Sequence, residues 1–197
     1  MRTTNTKERI IEVALELFSE KGYEETKMED IAKAVGIKAP SIYDHFKGKK
    51  GILQAVVTYA DEEYEKGMAF RKASADQTHS GEELKEYAMR AVNFTLNNDT
   101  ARKMRKIIAV EQFRNEEFNE SATRHFVTNH ETIYAELFAK LIDEGLMING
   151  NSKIYALEFI APVTLLVQIS DRNPDRKDEV LKTIEEHMDT FVERYFR

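Results

Sequence analysis

The stretch TKMEDIAKAVGIKAPSIYDHFKGKKGIL, residues 26–53, packs two short helices, a glycine turn and the start of a third helix into under thirty residues. Thr26 is a helix-capping residue type, and Glu29 three positions on completes a capping box. Met28, Ile31, Ala32 and Val35 then recur at i, i+3, i+4 and i+7, which predicts one apolar stripe. Gly36 ends that helix where a left-handed residue is needed, and Ile37 returns the chain to the core. A second helix follows. Pro40 is compatible with its first turn, where amide hydrogens lack partners in any case. Ile42 and Phe46 are its buried positions, which leaves Ala39, Ser41, Tyr43, Asp44 and His45 facing solvent or a ligand. Two helices joined by a tight glycine turn make a helix-turn-helix, whose second helix reads the major groove of double-stranded DNA.

Working outward, the preceding helix carries Ile10, Ala14, Leu17 and Phe18 on one stripe, and Gly22 follows its end with Tyr23 placed to touch Phe18. Downstream, a fourth helix should run from Gly48 toward Phe70, with Leu53, Val56, Val57, Ala60 and Tyr64 inward. Its first turn holds Lys49 and Lys50, contrary to the usual preference for acidic groups there, so lysines and free amide hydrogens together could hold a DNA phosphate.

The segments IIEVALELFSEKGYEET, MEDIAKAVGI and SIYDHFKGKKGIL together resemble the TetR family of bacterial transcriptional regulators, over about the first fifty-five residues. Beyond them the chain resembles that family only in length and helicity. Lys38 stands where the family often has a serine cap, and lysine cannot accept the amide hydrogen bond. Glu29 occupies a slot that is basic or neutral in many relatives. Lys49 matches a characteristic family lysine.

Net charge is −6 over 197 residues, and it is unevenly divided. Residues 1–50 carry ten Lys/Arg against nine Asp/Glu, a balance of +1; the remainder carries nineteen against twenty-six, a balance of −7. Lys38 to Lys50 alone holds four lysines and one aspartate, +3. DNA affinity follows local phosphate neutralisation, so this small basic footprint on an acidic body is compatible with duplex binding. A composition of 42% hydrophobic and 32% charged residues is that of a globular chain. The absence of cysteine excludes disulfides and thiolate-held metals and suits a cytoplasmic address. MRTTNTKERI lacks the apolar core of a signal peptide, and the apolar run Ile154–Ile169 is short for a membrane span and contains Glu158, Pro162 and Gln168.

The periodicity predicts an all-α chain of about nine helices, divided into a DNA-binding domain at 1–50 and a helical ligand-binding and dimerisation domain at 51–197. Arg71–Gly81 reads as a loop. Helix five carries Leu84, Tyr87, Ala88, Ala91 and Thr95, and helix six Met104, Ile107, Ile108 and Glu111. A long seventh helix, Glu116–Glu144, carries Ala122, Phe126, Ile133, Leu137 and Leu141, with Leu146 covering Leu141 after Gly145. Helix eight is the run from Ile154. Helix nine opens at Asn173–Pro174, with Leu181, Ile184, Met188, Phe191 and Tyr195 on its inner face. Helix eight is apolar almost all round, which implies burial on two sides, one against its own domain and the other against a partner, with a larger monomeric core as the alternative.

Enzyme chemistry finds no support. His130-Glu131-Thr132-Ile133-Tyr134 begins like a zinc-binding HExxH but ends in tyrosine, and no P-loop, GxGxxG or GxSxG motif is present. No catalytic residue, metal or cofactor is expected. Polar groups on apolar faces, namely Glu111, Asn129, His130 and Gln168, either pair within the core or serve as anchors in an apolar ligand pocket. The ordinary alternative for Glu111 is a salt bridge or an exposed helix end. It lies far along the chain from the recognition helix.

The family resemblance implies a homodimeric repressor, released from a palindromic operator when a small-molecule effector binds. Control by a protein partner, or without a ligand, is the alternative. It implies base-edge contacts from Ala39, Pro40, Ser41 and Asp44 and backbone contacts from Thr26, Lys27, Tyr43, His45 and Lys49, around a recognition helix opened by Lys38. It implies a pocket with walls among Tyr87, Phe94, Met104, Ile108, Phe126 and Tyr134 beside those polar groups. It also implies a dimer through the last two helices at Leu165, Ile169, Leu181, Ile184, Met188, Phe191 and Tyr195.

Overall fold

A computed structural model describes residues 5–67, 77–114, 116–123 and 128–197. The helices among them are α1 (Thr6–Lys21), α2 (Met28–Val35), α3 (Ala39–Tyr43), α4 (Gly48–Gly67), α5 (Gly81–Asn97), α6 (Asp99–Glu111), α7 (Glu116–Thr123), α8 (Asn129–Asp143), α9 (Ser152–Arg172) and α10 (Lys177–Tyr195). No strand occurs among the described residues, only an isolated antiparallel bridge between Met147 and Phe196. The all-α expectation holds. The long seventh helix of the sequence reading corresponds to α7 and α8, and residues 124–127 with Phe126 lie outside the described residues. Thr128 already has helical dihedrals and makes no side-chain cap, so α8 lacks the capped start of an independent helix.

The chain divides into two compact units, but not at residue 50. One comprises Met1–Lys66 with Asn98–Ser121; the other comprises Gly67–Asn97 with Ala122–Arg197. In the first unit α1 packs on α2 and α6, and α2 on α3. Its helix ends follow local chemistry. Asn5 caps α1, accepting from Lys7 N at 3.3 Å while its own amide donates to Glu8 Oε2 at 3.2 Å. Gly22, at φ +88°, closes α1 with a 3.0 Å bond from its amide to Phe18 O. The Phe18 and Tyr23 rings then meet edge to face, 5.2 Å apart, as the glycine stop predicts. Ile10, Phe18, Ile31, Ile42, Leu53, Ile107 and Phe118 are all buried, each worth roughly 1.5–3 kcal/mol of apolar transfer. Leu17, read as part of the α1 stripe, is only half-buried, and Leu15 takes the inner position.

The second unit is built around α9, which packs on α8 and α10, while α10 also packs on α5. Phe138, Phe159 and Phe191 form its centre, with Phe159 and Phe191 centroids 4.8 Å apart and Phe138 stacked on Phe191 at 5.3 Å. Gly145 again stops a helix, and Leu146 N donates to Leu141 O at 2.9 Å, placing Leu146 over α8 as expected. The last helix starts later than Asn173–Pro174. Those residues open a 3-10 turn, Pro174–Arg176, and Asn173 gives no side-chain cap. Its amide nitrogen instead donates back to Ile169 O at 3.4 Å.

Burial on two sides of α9 is not what the single chain shows. Ile154, Leu157 and Leu165 are 48%, 49% and 58% exposed, whereas Ala156, Phe159 and Ile160 are buried. By length and composition α9 is also apolar enough to cross a membrane. Its inner side is nevertheless committed to the Phe138–Phe191 core. The dimer-contact assignments divide in the same way. Ile184, Met188, Phe191 and Tyr195 are buried in the protomer's own core, so they are not seam residues. Ile169 and Leu181 are half-buried and Leu165 is open. An apolar stripe at helical spacing is common to a core face and an interface, which is why the sequence merged them.

Candidate nucleic-acid interface

The turn between α2 and α3 forms as its residues dictate. Gly36 takes the left-handed conformation, φ +81° and ψ 32°, and nothing lies within 4 Å of where a Cβ would sit. The requirement for glycine is therefore one of backbone, not of space. Gly36 N donates to Ala32 O at 2.9 Å and Ile37 N to the same oxygen at 3.0 Å, satisfying the last carbonyls of α2. Arg9 adds a contact that no local pattern reveals. Its Nη2 donates to Val35 O at 2.8 Å across twenty-six residues, fastening the end of α2 to α1.

The helix start differs from the expected capping box. Thr26 is fully buried and its hydroxyl donates to Gly22 O at 2.8 Å, locking the turn after α1. It is therefore withdrawn from DNA. Lys27 takes the cap position one residue later, its amide donating to Asp30 Oδ2 at 3.1 Å. Two acidic residues, Glu29 and Asp30, stand side by side, so either register satisfies the three-residue spacing. Burial of the threonine methyl and hydroxyl selects the second.

Helix α3 is one and a half turns long, held by buried Ile42 and, just beyond its end, by Phe46. Lys38 opens it with no side-chain cap bond, as its chemistry requires. Pro40, Asp44 and His45 are exposed, Tyr43 is 60% exposed, and Ala39 and Ser41 are half-buried. One face of α3 is thus open over its whole length while the other is sunk in the core. Lys38 and Lys47 stand exposed at its two ends. Lys47 was missed as a site residue, although it is one of the four lysines that make 38–50 basic.

Lys49 is not displayed like these. It is half-buried, and its Nζ donates to Tyr23 O at 2.8 Å and Glu24 O at 3.0 Å. The ammonium also lies 4.4 Å from the centroid of the Tyr23 ring. The expected phosphate contact is replaced, in the protein alone, by bonds within the fold.

The residues read as an effector pocket do not belong to one unit. Met104, Ile108 and Glu111 are buried in the unit that carries the helix-turn-helix. Glu111 is 2% exposed and its Oε2 has no hydrogen-bond partner; Oε1 lies 3.7 Å from where a Cβ on Gly22 would be. Among the described residues it closes no salt bridge, and the helix end at which it sits is buried. Remoteness along the chain did not keep it away from the DNA-binding unit, because α6 packs directly on α1. Tyr87, Phe94, Asn129, His130, Tyr134 and Gln168 lie in the other unit. Tyr87 and Tyr134 belong to the aromatic core, with Tyr134 4.9 Å from Phe159 and 6.0 Å from Tyr87. Gln168 accepts from Arg172 at 3.3 Å, and Asn129 and His130 are half-buried at the start of α8.

A buried-backed recognition helix behind a glycine turn, with lysines at both ends, defines a helix-turn-helix nucleic-acid-binding module. Residues 10–56 match the family model described as bacterial regulatory proteins, tetR family. That match covers about a quarter of the chain and gives residues 10–56 the likeness to the DNA-binding domain of that family. Over 51 residues the chain is 53% identical to the biofilm operon icaADBC negative transcriptional regulator IcaR of Staphylococcus aureus, covering 26% of this chain and 27% of IcaR. The match thus spans about a quarter of that relative's length. The probable regulator YttP of Bacillus subtilis is 23% identical over 98% of this chain and 89% of its own. Among solved structures, SmeT, the repressor of the Stenotrophomonas maltophilia multidrug efflux pump SmeDEF, superposes with a TM-score of 0.72 at 20% identity, covering 99% of this chain and 92% of SmeT. At that identity the likeness concerns fold alone.

Proposed function

We propose that this protein is a cytoplasmic, homodimeric repressor that binds a palindromic operator through α3 and leaves it when a small-molecule effector binds. The observation that carries the reading is the open face of α3, with Pro40, Ser41, Tyr43 and Asp44 turned outward between Lys38 and Lys47 on a buried anchor. The named relative IcaR is a negative transcriptional regulator, which supports repression. Ala39, Pro40, Ser41 and Asp44 are the base-facing set, with Asp44 suited to a cytosine amino group; Lys27, Lys38, Tyr43, His45 and Lys47 are the backbone set.

The test is binding-site selection from a random duplex pool, followed by gel shifts. Tyr43→Phe should weaken the selected duplex and unrelated duplexes alike, by about 0.5–1.5 kcal/mol, because it removes one hydroxyl donor to phosphate. Failure of the wild-type protein to enrich any sequence would sink the reading.

Two copies are needed to read a palindrome. The open stripe of Ile154, Leu157 and Leu165 on α9 supports a dimer in which a second copy covers it. The effector reading is supported by Glu111 and by a second SmeT structure, which is a complex with triclosan. A buried carboxylate oxygen without a donor favours cationic or hydroxyl-bearing compounds. Glu111→Gln should therefore act in two ways. It should stabilise the unliganded protein by about 1–3 kcal/mol in urea melts by removing a buried carboxylate oxygen that has no donor. It should also abolish the rise in melting temperature that cationic ligands give the wild type, while neutral ligands keep theirs. Lower stability of the variant without ligand would show that the carboxylate is structural. The closely packed Tyr87–Tyr134–Phe159 cluster favours instead the alternative of control by a protein partner or by none.

A further inference from the structure

Lys49 is the feature of the DNA-binding unit that phosphate binding does not explain. An ammonium has three N–H donors, and two of them are spent on the carbonyls of Tyr23 and Glu24, at 2.8 and 3.0 Å. The charge also rests on the Tyr23 ring, at 4.4 Å. Tyr23 itself is buried and wedged edge-on between Phe18 of α1 and Phe118 of α7, at 5.2 and 6.1 Å. Lys49 thus ties the first turn of α4 to a rigid aromatic platform twenty-six residues earlier in the chain. That first turn in turn supports the recognition helix. Gly48 N, at the start of α4, donates to Phe46 O at 2.9 Å, and Phe46 is the buried residue that anchors the exit from α3. Its amide donates to Ile42 O at 2.9 Å, so a displacement of Phe46 is passed to α3 directly.

We propose that Lys49 is a positioning residue for DNA recognition: it braces α4 on the Tyr23–Glu24 turn and thereby sets the pose of α3, while phosphates are met by exposed lysines such as Lys38 and Lys47. This rests on the DNA-binding reading above. A cation that kept both carbonyls would have only its third N–H to offer a phosphate, and one turned fully to a phosphate would release them and the ring. A brace keeps them.

The test uses the full-length dimer and the duplex that the wild-type protein selects from a random pool. Lys49→Met keeps the aliphatic stem and removes the donors and the charge. Its affinity for that duplex should fall about tenfold or more at every salt concentration, with circular dichroism unchanged and the slope of log Kd against log salt equal to that of wild type. A slope smaller by about one would identify a phosphate ligand and overturn the proposal. So would a lower melting temperature with unchanged affinity, which marks a merely structural residue. Should Lys49→Met fail to fold, NMR on wild type decides: nuclear Overhauser contacts between Lys49 Hε and the Tyr23 ring should persist when duplex is added, and their loss would overturn the brace. A wild-type protein that selects no duplex at all defeats the DNA-binding reading rather than the role of Lys49 within it.

Discussion

Met188→Glu should unfold the protein rather than divide a dimer. Met188 is 1% exposed and lies, with Ile184, in the cluster that joins α10 to Phe138 and Phe159. The substitution removes a flexible apolar side chain from a filled site and places there a carboxylate without a partner. Apolar loss and charge burial together should exceed about 4 kcal/mol, a large share of the roughly 5–15 kcal/mol that stabilises a domain. In a chain of this size that corresponds to a fall in melting temperature of at least roughly 10 °C, or to loss of the cooperative transition. Thermal melts by circular dichroism decide it. A well-folded Met188→Glu monomer with a melting temperature near that of wild type would show that Met188 does belong to a seam between copies.

Leu165→Arg, one helix away, should do the opposite. Leu165 is 58% exposed in the single chain, so an arginine there meets water and the protomer should keep its helicity. If a second copy covers the stripe of Ile154, Leu157 and Leu165, two arginines approach each other across a two-fold axis in a dry contact. Unpaired buried charge of this kind costs about 3–5 kcal/mol, on the order of a hundred- to a few thousand-fold in the dimer dissociation constant. Light scattering should report a monomer at micromolar concentration. Binding to a palindromic duplex should collapse with it, because each half-site alone contributes only part of the affinity. A Leu165→Arg protein that stays dimeric, or a wild-type protein that is already monomeric, would remove α9 from the interface.

These two substitutions mark where helical periodicity ends as a guide. Leu165 and Met188 both lie on apolar stripes, and the spacing that places them there is the same. What separates them is whether other helices of the same chain reach that stripe. They cover Met188 and leave Leu165 open. The split of the chain is a similar case. A boundary at residue 50 follows the end of the family-like motif. The fold instead places α4 and the later helices α6 and α7 in the DNA-binding unit.

The sequence by itself determined what local chemistry controls. It determined the all-helical fold, the stop of α1 at Gly22 with Tyr23 against Phe18, the left-handed turn at Gly36, the burial of Ile42 and the outward face of α3. Each of these depends on residues within about one helical turn of each other, whose propensities and hydrogen bonds act before any tertiary contact forms. Only the tertiary structure decided the roles of Thr26, Lys49 and Glu111. Their roles lie in where each group is buried and what it meets: a carbonyl four residues back across a turn for Thr26, two carbonyls and a ring twenty-five and twenty-six residues away for Lys49, and a buried carboxylate whose Oε2 has no hydrogen-bond partner among the described residues for Glu111. A polar side chain carries the same donors and acceptors wherever it stands. Whether it faces phosphate, ligand or its own backbone is set by which helices close over it, and that depends on packing between segments far apart in the chain.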